Sequence, residues 1–258
     1  MRALLQKRST RWAEQVFVAE GSELLRTALR AGTPIESVYV APEGVDDPLT
    51  QAACEEAARA GARLFPLAKG VLERVADTVT PQPVLTVLPM LHDPAPSPWD
   101  SGHRPLLVVM VDVRDPGNAG TVLRTADAAG VDSVIFSGDS VDPYNPKTVR
   151  ASAGSLFHVP FSVQGEPRAL AASLAASGYR TLATVVQDGA DYATLDWSVP
   201  TALFLGNESA GLGPDILEAM GGSVGIPMDG QAESLNVGVA CAVICFEALR
   251  QRRRAARG

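Results

Sequence analysis

Asp115-Pro-Gly-Asn-Ala-Gly-Thr-Val-Leu-Arg124 is the stretch whose reading decides the fold. It follows residues 105–113, a near-continuous aliphatic run of the kind that forms a central parallel strand covered on both faces. It then leads into a helical pattern over 116–129. Two further turns share this build: Leu205-Gly-Asn-Glu-Ser-Ala-Gly-Leu-Gly213 and Ile226-Pro-Met-Asp-Gly-Gln-Ala-Glu-Ser-Leu-Asn236, each after a short apolar run. Strand ends that run into polar, glycine-bearing turns predict that all three meet at the carboxyl edge of one parallel sheet, where open α/β sheets bind ligands.

Outward from these turns, strands are expected at 133–137, 159–163, 180–186, 201–205 and 223–226, with helices at 167–177 and 235–253. Residues 89–104 are rich in proline and polar residues without periodicity, which marks a domain boundary. Before it, apolar strands at 15–19, 37–41, 63–66 and 84–88 alternate with helical patterns at 20–31, 48–60 and 68–76. The expected organisation is a small α/β domain over 1–90, a linker over 91–104, and a parallel-sheet α/β domain over 105–258.

At 258 residues and 46% hydrophobic content the chain can bury the cores of two domains. No apolar run approaches the roughly 18 residues that span a bilayer, and the opening Met-Arg-Ala-Leu-Leu-Gln-Lys-Arg lacks the apolar stretch of a signal peptide, so no membrane association and a cytoplasmic location are expected. Cys54, Cys241 and Cys245 read as buried core thiols. With His92, His103 and His158 in no ligand pattern, no metal site is expected.

A formal charge of -7 weighs against a nucleic-acid partner, because Lys and Arg supply most of the non-specific affinity. The distribution is more favourable than the total. Residues 1–30 hold six cations, Arg8 and Arg11 among them, against three acids, and the chain ends in Arg250-Gln-Arg-Arg-Arg-Ala-Ala-Arg257. That tail fits a solvated helix end and an RNA contact about equally well.

The turns exclude several chemistries. No Lys-Ser/Thr pair follows Gly206–Gly213, and the turn at 115–120 lacks the dinucleotide-binding spacing. Asn207-Glu-Ser-Ala-Gly211 falls one residue short of a hydrolase nucleophile elbow. That reading of Ser209 fails because no histidine follows His158, leaving Ser209 as a turn residue.

Taken in order with a fourth stretch, Asn145-Pro-Lys-Thr-Val-Arg-Ala-Ser-Ala-Gly-Ser-Leu-Phe-His-Val-Pro160, the three turns resemble the SpoU (TrmH) group of RNA ribose 2'-O-methyltransferases in the SPOUT superfamily. The resemblance spans Arg104 to about Arg253. It implies a methyltransferase domain with a deep trefoil knot, a homodimer, and S-adenosylmethionine as cofactor, held by the backbone around Leu205, Gly206, Ile226 and Leu235. It puts Asn118 and Arg124 at the reacting centre, with Arg124 either activating the ribose hydroxyl or, more easily for a guanidinium, stabilising the emerging alkoxide. Without the resemblance, Asn118 would read as a helix cap and Arg124 as an exposed helix residue.

Glu208 would pair with Arg124 or orient cofactor or ribose. Ser234 would cap the last helix by default while, with Asn236, adding polar contacts at the centre. Lys147 and Arg150, three apart on one helix face, suit phosphate contact, and Arg8 and Arg11 belong to the basic leader on the RNA side. Ala19-Glu-Gly-Ser-Glu-Leu-Leu-Arg-Thr-Ala-Leu29 resembles the entry to the family's ribosomal-protein-like RNA-binding domain. The implied function is methyl transfer to a ribose 2'-hydroxyl, with ribosomal RNA favoured over transfer RNA. The competing class is a non-catalytic RNA-binding or assembly factor with the same fold.

Overall fold

Two stretches of alternating strand and helix give two separate sheets. The computed structural model describes residues 1–75, 80–91 and 104–255, so most of the expected linker, Ala76 and the last three residues, Arg257 included, lie outside the described residues. The chain divides into two compact units, Met1–Leu91 with Asp142–His158, and His92–Val141 with Val159–Gly258.

The first unit opens with two short helices that periodicity had not indicated, α1 (Arg2–Gln6) and α2 (Arg8–Glu14). There follow β1 (Val16–Glu20), α3 (Ser22–Arg30), β2 (Ser37–Val40), α4 (Pro42–Val45), α5 (Pro48–Arg59), β3 (Arg63–Pro66), α6 (Val71–Val75) and β4 (Val84–Pro89). The strand order is β1-β4-β2-β3, with β2 and β3 parallel and the other pairs antiparallel. Leu25 of α3 and Ala53 and Ala57 of α5 close one face of this sheet over Val38 and Val84. Helix α5 starts where the sequence provides for it, with Pro48 in its first turn and Asp47 accepting the Thr50 N–H at 2.9 Å.

In the rest of the chain come β5 (Leu106–Val111), α7 (Pro116–Ala129), β6 (Ser133–Ser137), α8 (Pro146–Ala151), a 3-10 turn (Ser155–Phe157), β7 (Phe161–Gln164), α9 (Pro167–Ala176), β8 (Arg180–Thr184), β9 (Ala190–Asp191), β10 (Thr201–Leu205), α10 (Pro214–Leu217), β11 (Gly222–Gly225) and α11 (Val237–Ala255). Seven strands form one all-parallel sheet in the order β7-β6-β5-β10-β8-β11-β9. All six residues of β5 are buried, as its unbroken aliphatic run requires of a strand covered on both faces. Leu107, Val109 and Val111 join Ile135 and Phe204 in the core on one face. Helix α11 lies so close to α7 that a Cβ on Gly238 would come within 2.7 Å of Thr121 Cγ2.

One stretch departs from the expected boundaries. Residues 142–158 fall inside the span assigned to the second domain, yet they group with the first unit. Their anchors are apolar and ionic: Phe17 meets the rings of Tyr144 and Phe157 at 4.9 and 6.4 Å, and Arg11 pairs with Asp142 at 2.6 Å. Gly154, at φ 95°, leaves room for Thr27, whose Cγ2 would lie 2.7 Å from a Cβ there.

Candidate active site

Because the parallel strands end in register, the β5–α7 turn and the turn after β10 lie side by side at the carboxyl edge. In the first, the cap of α7 is Asp115, which accepts the Asn118 N–H at 2.8 Å, so the Asn118 side chain is free of capping duty. In the second, Gly206 is confined: a Cβ would sit 2.4 Å from the Gly211 carbonyl carbon. The next residues carry Glu208 to the first turn, where its Oε1 accepts Asn118 Nδ2 at 2.9 Å and the Asp115 N–H at 3.2 Å. Its Oε2 faces the Arg114 N–H at 3.4 Å.

The third turn completes a chain of side chains. Asn236 Nδ2 donates to Asn118 Oδ1 at 2.8 Å, while Asn236 Oδ1 accepts the N–H groups of Gly238 and Val239 at 2.9 and 3.3 Å. Asn236, not Ser234, therefore caps α11, which begins two residues later than the sequence pattern indicates. Each amide has only one orientation that satisfies both neighbours, so the helix end fixes Asn236, Asn236 fixes Asn118, and Asn118 fixes one oxygen of Glu208. Burial pushes the Glu208 carboxyl up, but donation from Asn118 and from backbone N–H groups outweighs it, and its pKa lies below the ordinary carboxylate value.

Beside this chain opens a cavity of about 540 Å³, bordered by Gly206, Glu208, Ser234 and Asn118 and walled by apolar residues including Ile226, Leu235, Val186 and Ile244. This size and lining, apolar with a few convergent polar groups, suit a small-molecule cofactor with an aromatic base. Leu205 is fully buried and does not line the cavity, so any part it plays there is through its backbone.

Arg124 lies on the exposed side of α7, outside the residues bordering the cavity, and has no hydrogen bond or ion pair among the described residues. Of the roles open to Glu208, pairing with Arg124 is not the one seen among the described residues; its carboxylate holds Asn118 at the cavity rim. On the first unit, Lys147 is exposed on α8, and Arg150 faces Glu20 at 3.4 Å. Arg8 is exposed, with its guanidinium carbon 5.7 Å from the centre of the Trp12 ring.

Arg11 corrects the expectation placed on it. It is 2% exposed, its Nε and Nη2 held by Asp142 at 2.9 and 2.6 Å and its Nη1 donating to the Leu4 carbonyl at 2.7 Å, so it has no face for RNA. A basic residue in a basic leader reads as solvated until its acidic partner, 131 positions away, is known. In the arginine-rich tail, Arg252 donates to the carbonyls of Trp197, Arg104, Pro105 and Val199, binding the end of α11 to the amino edge of the sheet. Asn207 was not among the candidates, although an Asn between a strand-end Gly and an acid is a turn-closing residue type.

A parallel α/β domain with a cofactor-sized cavity at its carboxyl edge, joined to a second small α/β unit, defines the class: a cofactor-dependent enzyme with a separate substrate-binding unit. Residues 105–246 match the SpoU rRNA Methylase family and residues 1–86 the MRM3-like substrate binding domain. The chain is 33% identical, over 94% of its length and 92% of the relative's, to the 23S rRNA (guanosine(2553)-2'-O)-methyltransferase RlmP of Bacillus subtilis. It is 36% identical, over 58% of its length and 77% of the relative's, to the tRNA (guanosine(18)-2'-O)-methyltransferase of Thermus thermophilus. The crystal structure of an AdoMet-bound rRNA methyltransferase from Sinorhizobium meliloti superposes with a TM-score of 0.83 at 32% identity, covering 96% of this chain and 92% of that one. The chain belongs to the SpoU rRNA methylase family.

Proposed function

We propose that this chain transfers the methyl group of S-adenosylmethionine to a ribose 2'-hydroxyl of RNA, ribosomal RNA before transfer RNA. The observation that carries the reading is the hydrogen-bonded chain Asn236–Asn118–Glu208 along the rim of the cavity, in a member of this family. When bound, S-adenosylmethionine supplies an electrophilic methyl group, which leaves alignment and proton handling to the protein. Ile226 and Leu235 offer the adenine its apolar walls, Gly206 borders the same cavity, and the backbone of Leu205 leads into it.

Glu208, with its lowered pKa and several donors, is a weak base and serves to hold Asn118 in place. Asn118, Asn236 and Ser234 orient the ribose. Arg124, exposed and without a partner among the described residues, would orient the neighbouring phosphate and stabilise the emerging alkoxide from outside the cavity; a guanidinium stays protonated and is a poor acceptor of the hydroxyl proton.

Residues 1–90, with the 142–158 segment that groups with them, would grip the RNA and the rest of 105–258 perform the transfer, with exposed Lys147 and Arg8 supporting phosphate contact from the first unit, and Arg150 joining once released from Glu20. Ribosomal RNA is favoured because the rRNA-modifying relative aligns through the first unit, whereas the tRNA-modifying one aligns over 58% of the chain. The exposed apolar residues Val239 and Phe246 on α11 support a homodimer. The knotted backbone and a cytoplasmic location belong to the same reading; among the described residues no helix is long and apolar enough to cross a membrane.

The test is incubation with radiolabelled S-adenosylmethionine and unmodified ribosomal and transfer RNA, beside Arg124→Ala, with the label mapped by its block to alkaline cleavage. Label at a cleavage-resistant ribose of ribosomal RNA, absent in the variant, is expected. Cofactor and RNA binding without label on either RNA would overturn catalysis in favour of a non-catalytic binding factor.

A further inference from the structure

Asn207 makes four side-chain hydrogen bonds, more than closing a turn requires. Its Oδ1 accepts the N–H groups of Ser209 and Ala210 at 3.0 and 3.1 Å, the local pattern by which an Asn closes a turn. Its main chain also bridges Gly211, N–H to carbonyl in both directions at 3.1 and 2.9 Å. These contacts suffice to close the loop. The Nδ2 group does something else: it donates to the carbonyl of Asp112 at 2.8 Å, crossing from the end of β10 to the end of β5, and lies 3.4 Å from Glu208 Oε2.

The acceptor of that bond is fixed. Asp112 sits at φ 54°, a left-handed conformation uncommon for a residue other than glycine. Its carboxylate accepts the Asp139 N–H at 2.6 Å, and it packs over Gly138, whose φ of 62° favours glycine and where a Cβ would lie 2.3 Å from Asp112 Oδ1. A backbone held in a sparsely populated conformation by its surroundings, next to a candidate active site, points to a required geometry.

We propose that Asn207 is a positioning residue: by tying its turn to the Asp112 carbonyl it holds Glu208 against the β5–α7 turn and so aligns Asn118 and Asn236 before substrate arrives. This deepens the methyl-transfer reading above and rests on it. Asn207 acts through Glu208 and takes no part in bond making.

Asn207→Asp is nearly isosteric and keeps an oxygen for the Ser209 and Ala210 N–H groups, but places a carboxylate against the Asp112 carbonyl and Glu208. Asn207→Ser keeps a turn-closing hydroxyl, is too short to reach Asp112, and adds no charge. For both variants kcat is expected to fall by up to about a hundredfold, the scale of a 1 Å misplacement; because Asn207 also borders the cavity, S-adenosylhomocysteine affinity, measured by calorimetry, is expected to fall too, but by much less than kcat. The carboxyl of Glu208, followed by 13C NMR titration, is expected to titrate higher in Asn207→Asp than in wild type, since a donor is lost and a like charge gained.

Wild-type kcat in both variants would overturn the proposal, as would a fall in kcat matched by an equal loss of cofactor affinity. The titration needs no turnover, so an unmoved Glu208 carboxyl refutes the link even if wild type methylates no RNA. A shifted carboxyl in an inactive wild type would instead leave the link standing and count against the methyl-transfer reading.

Discussion

Replacing Arg11 by Ala separates two views of the basic leader. If Arg11 were an RNA contact, the substitution would weaken RNA binding and leave folding alone. The structure requires the reverse. The side chains of Arg11 and Asp142 are 3% and 4% exposed, and two of the guanidinium nitrogens meet one carboxylate oxygen at 2.6 and 2.9 Å. Among the described residues, removing Arg11 strands a buried carboxylate with only the Trp12 indole N–H at 3.4 Å and the Tyr144 N–H at 3.2 Å for company.

Breaking one side of such a buried pair costs about 3–5 kcal/mol, a large share of the roughly 5–15 kcal/mol that holds a domain folded. The expected result is a marked fall in the urea midpoint, with accelerated hydrogen exchange in peptides from α2, β1 and the 142–158 segment. The double variant Arg11→Met/Asp142→Leu is expected to recover most of the loss, because an apolar pair of similar volume leaves no uncompensated charge. An unchanged midpoint for Arg11→Ala, with RNA affinity lost, would refute the reasoning.

Gly206→Ala forces a Cβ to within 2.4 Å of the Gly211 backbone and is expected to destabilise the second unit by about 1–3 kcal/mol, the usual cost of overpacking, with weaker S-adenosylhomocysteine binding in calorimetry. Glu208 has a lowered folded-state pKa, so its hydrogen bonds stabilise fully above the ordinary carboxylate value of 4.5 and are lost as pH falls through the lowered value. Thermal unfolding recorded against pH should show this acid limb flattened in Glu208→Gln, and identical profiles would count against it. Val239→Asp with Phe246→Asp, both on exposed positions of α11, should convert a dimer to a monomer in sedimentation velocity, with an unfolding temperature that no longer depends on protein concentration. A monomeric wild type would remove the homodimer from the proposed function.

The local rules of the sequence settled the longer elements of the second sheet and its helices, though not the short helices α1 and α2. Residues 116–129, 133–137 and 201–205 form the helix and strands expected of them, because Pro and an acidic cap start α7, Gly130 at φ 65° ends it, and unbroken aliphatic runs suit only strands buried on both faces. Where those signals are short-range, as in β9 with two residues or α10 with four, the pattern carried no warning of them. The meeting of the three turns was also legible, since a parallel sheet puts every strand's carboxyl end on one edge.

Pairing across the chain was not legible. That Asn118 bonds Glu208 and Asn236, 90 and 118 residues away, depends on which strands become neighbours, and β5 lies between β6 and β10 only in three dimensions. The same holds for Arg11 and Asp142, and for residues 142–158, which group with the first unit although they lie within the second in sequence. Propensity, capping and hydrophobic period act over a few residues and are written in the chain. Ion pairs, amide orientation and pKa depend on distance and burial, and only the folded structure sets those.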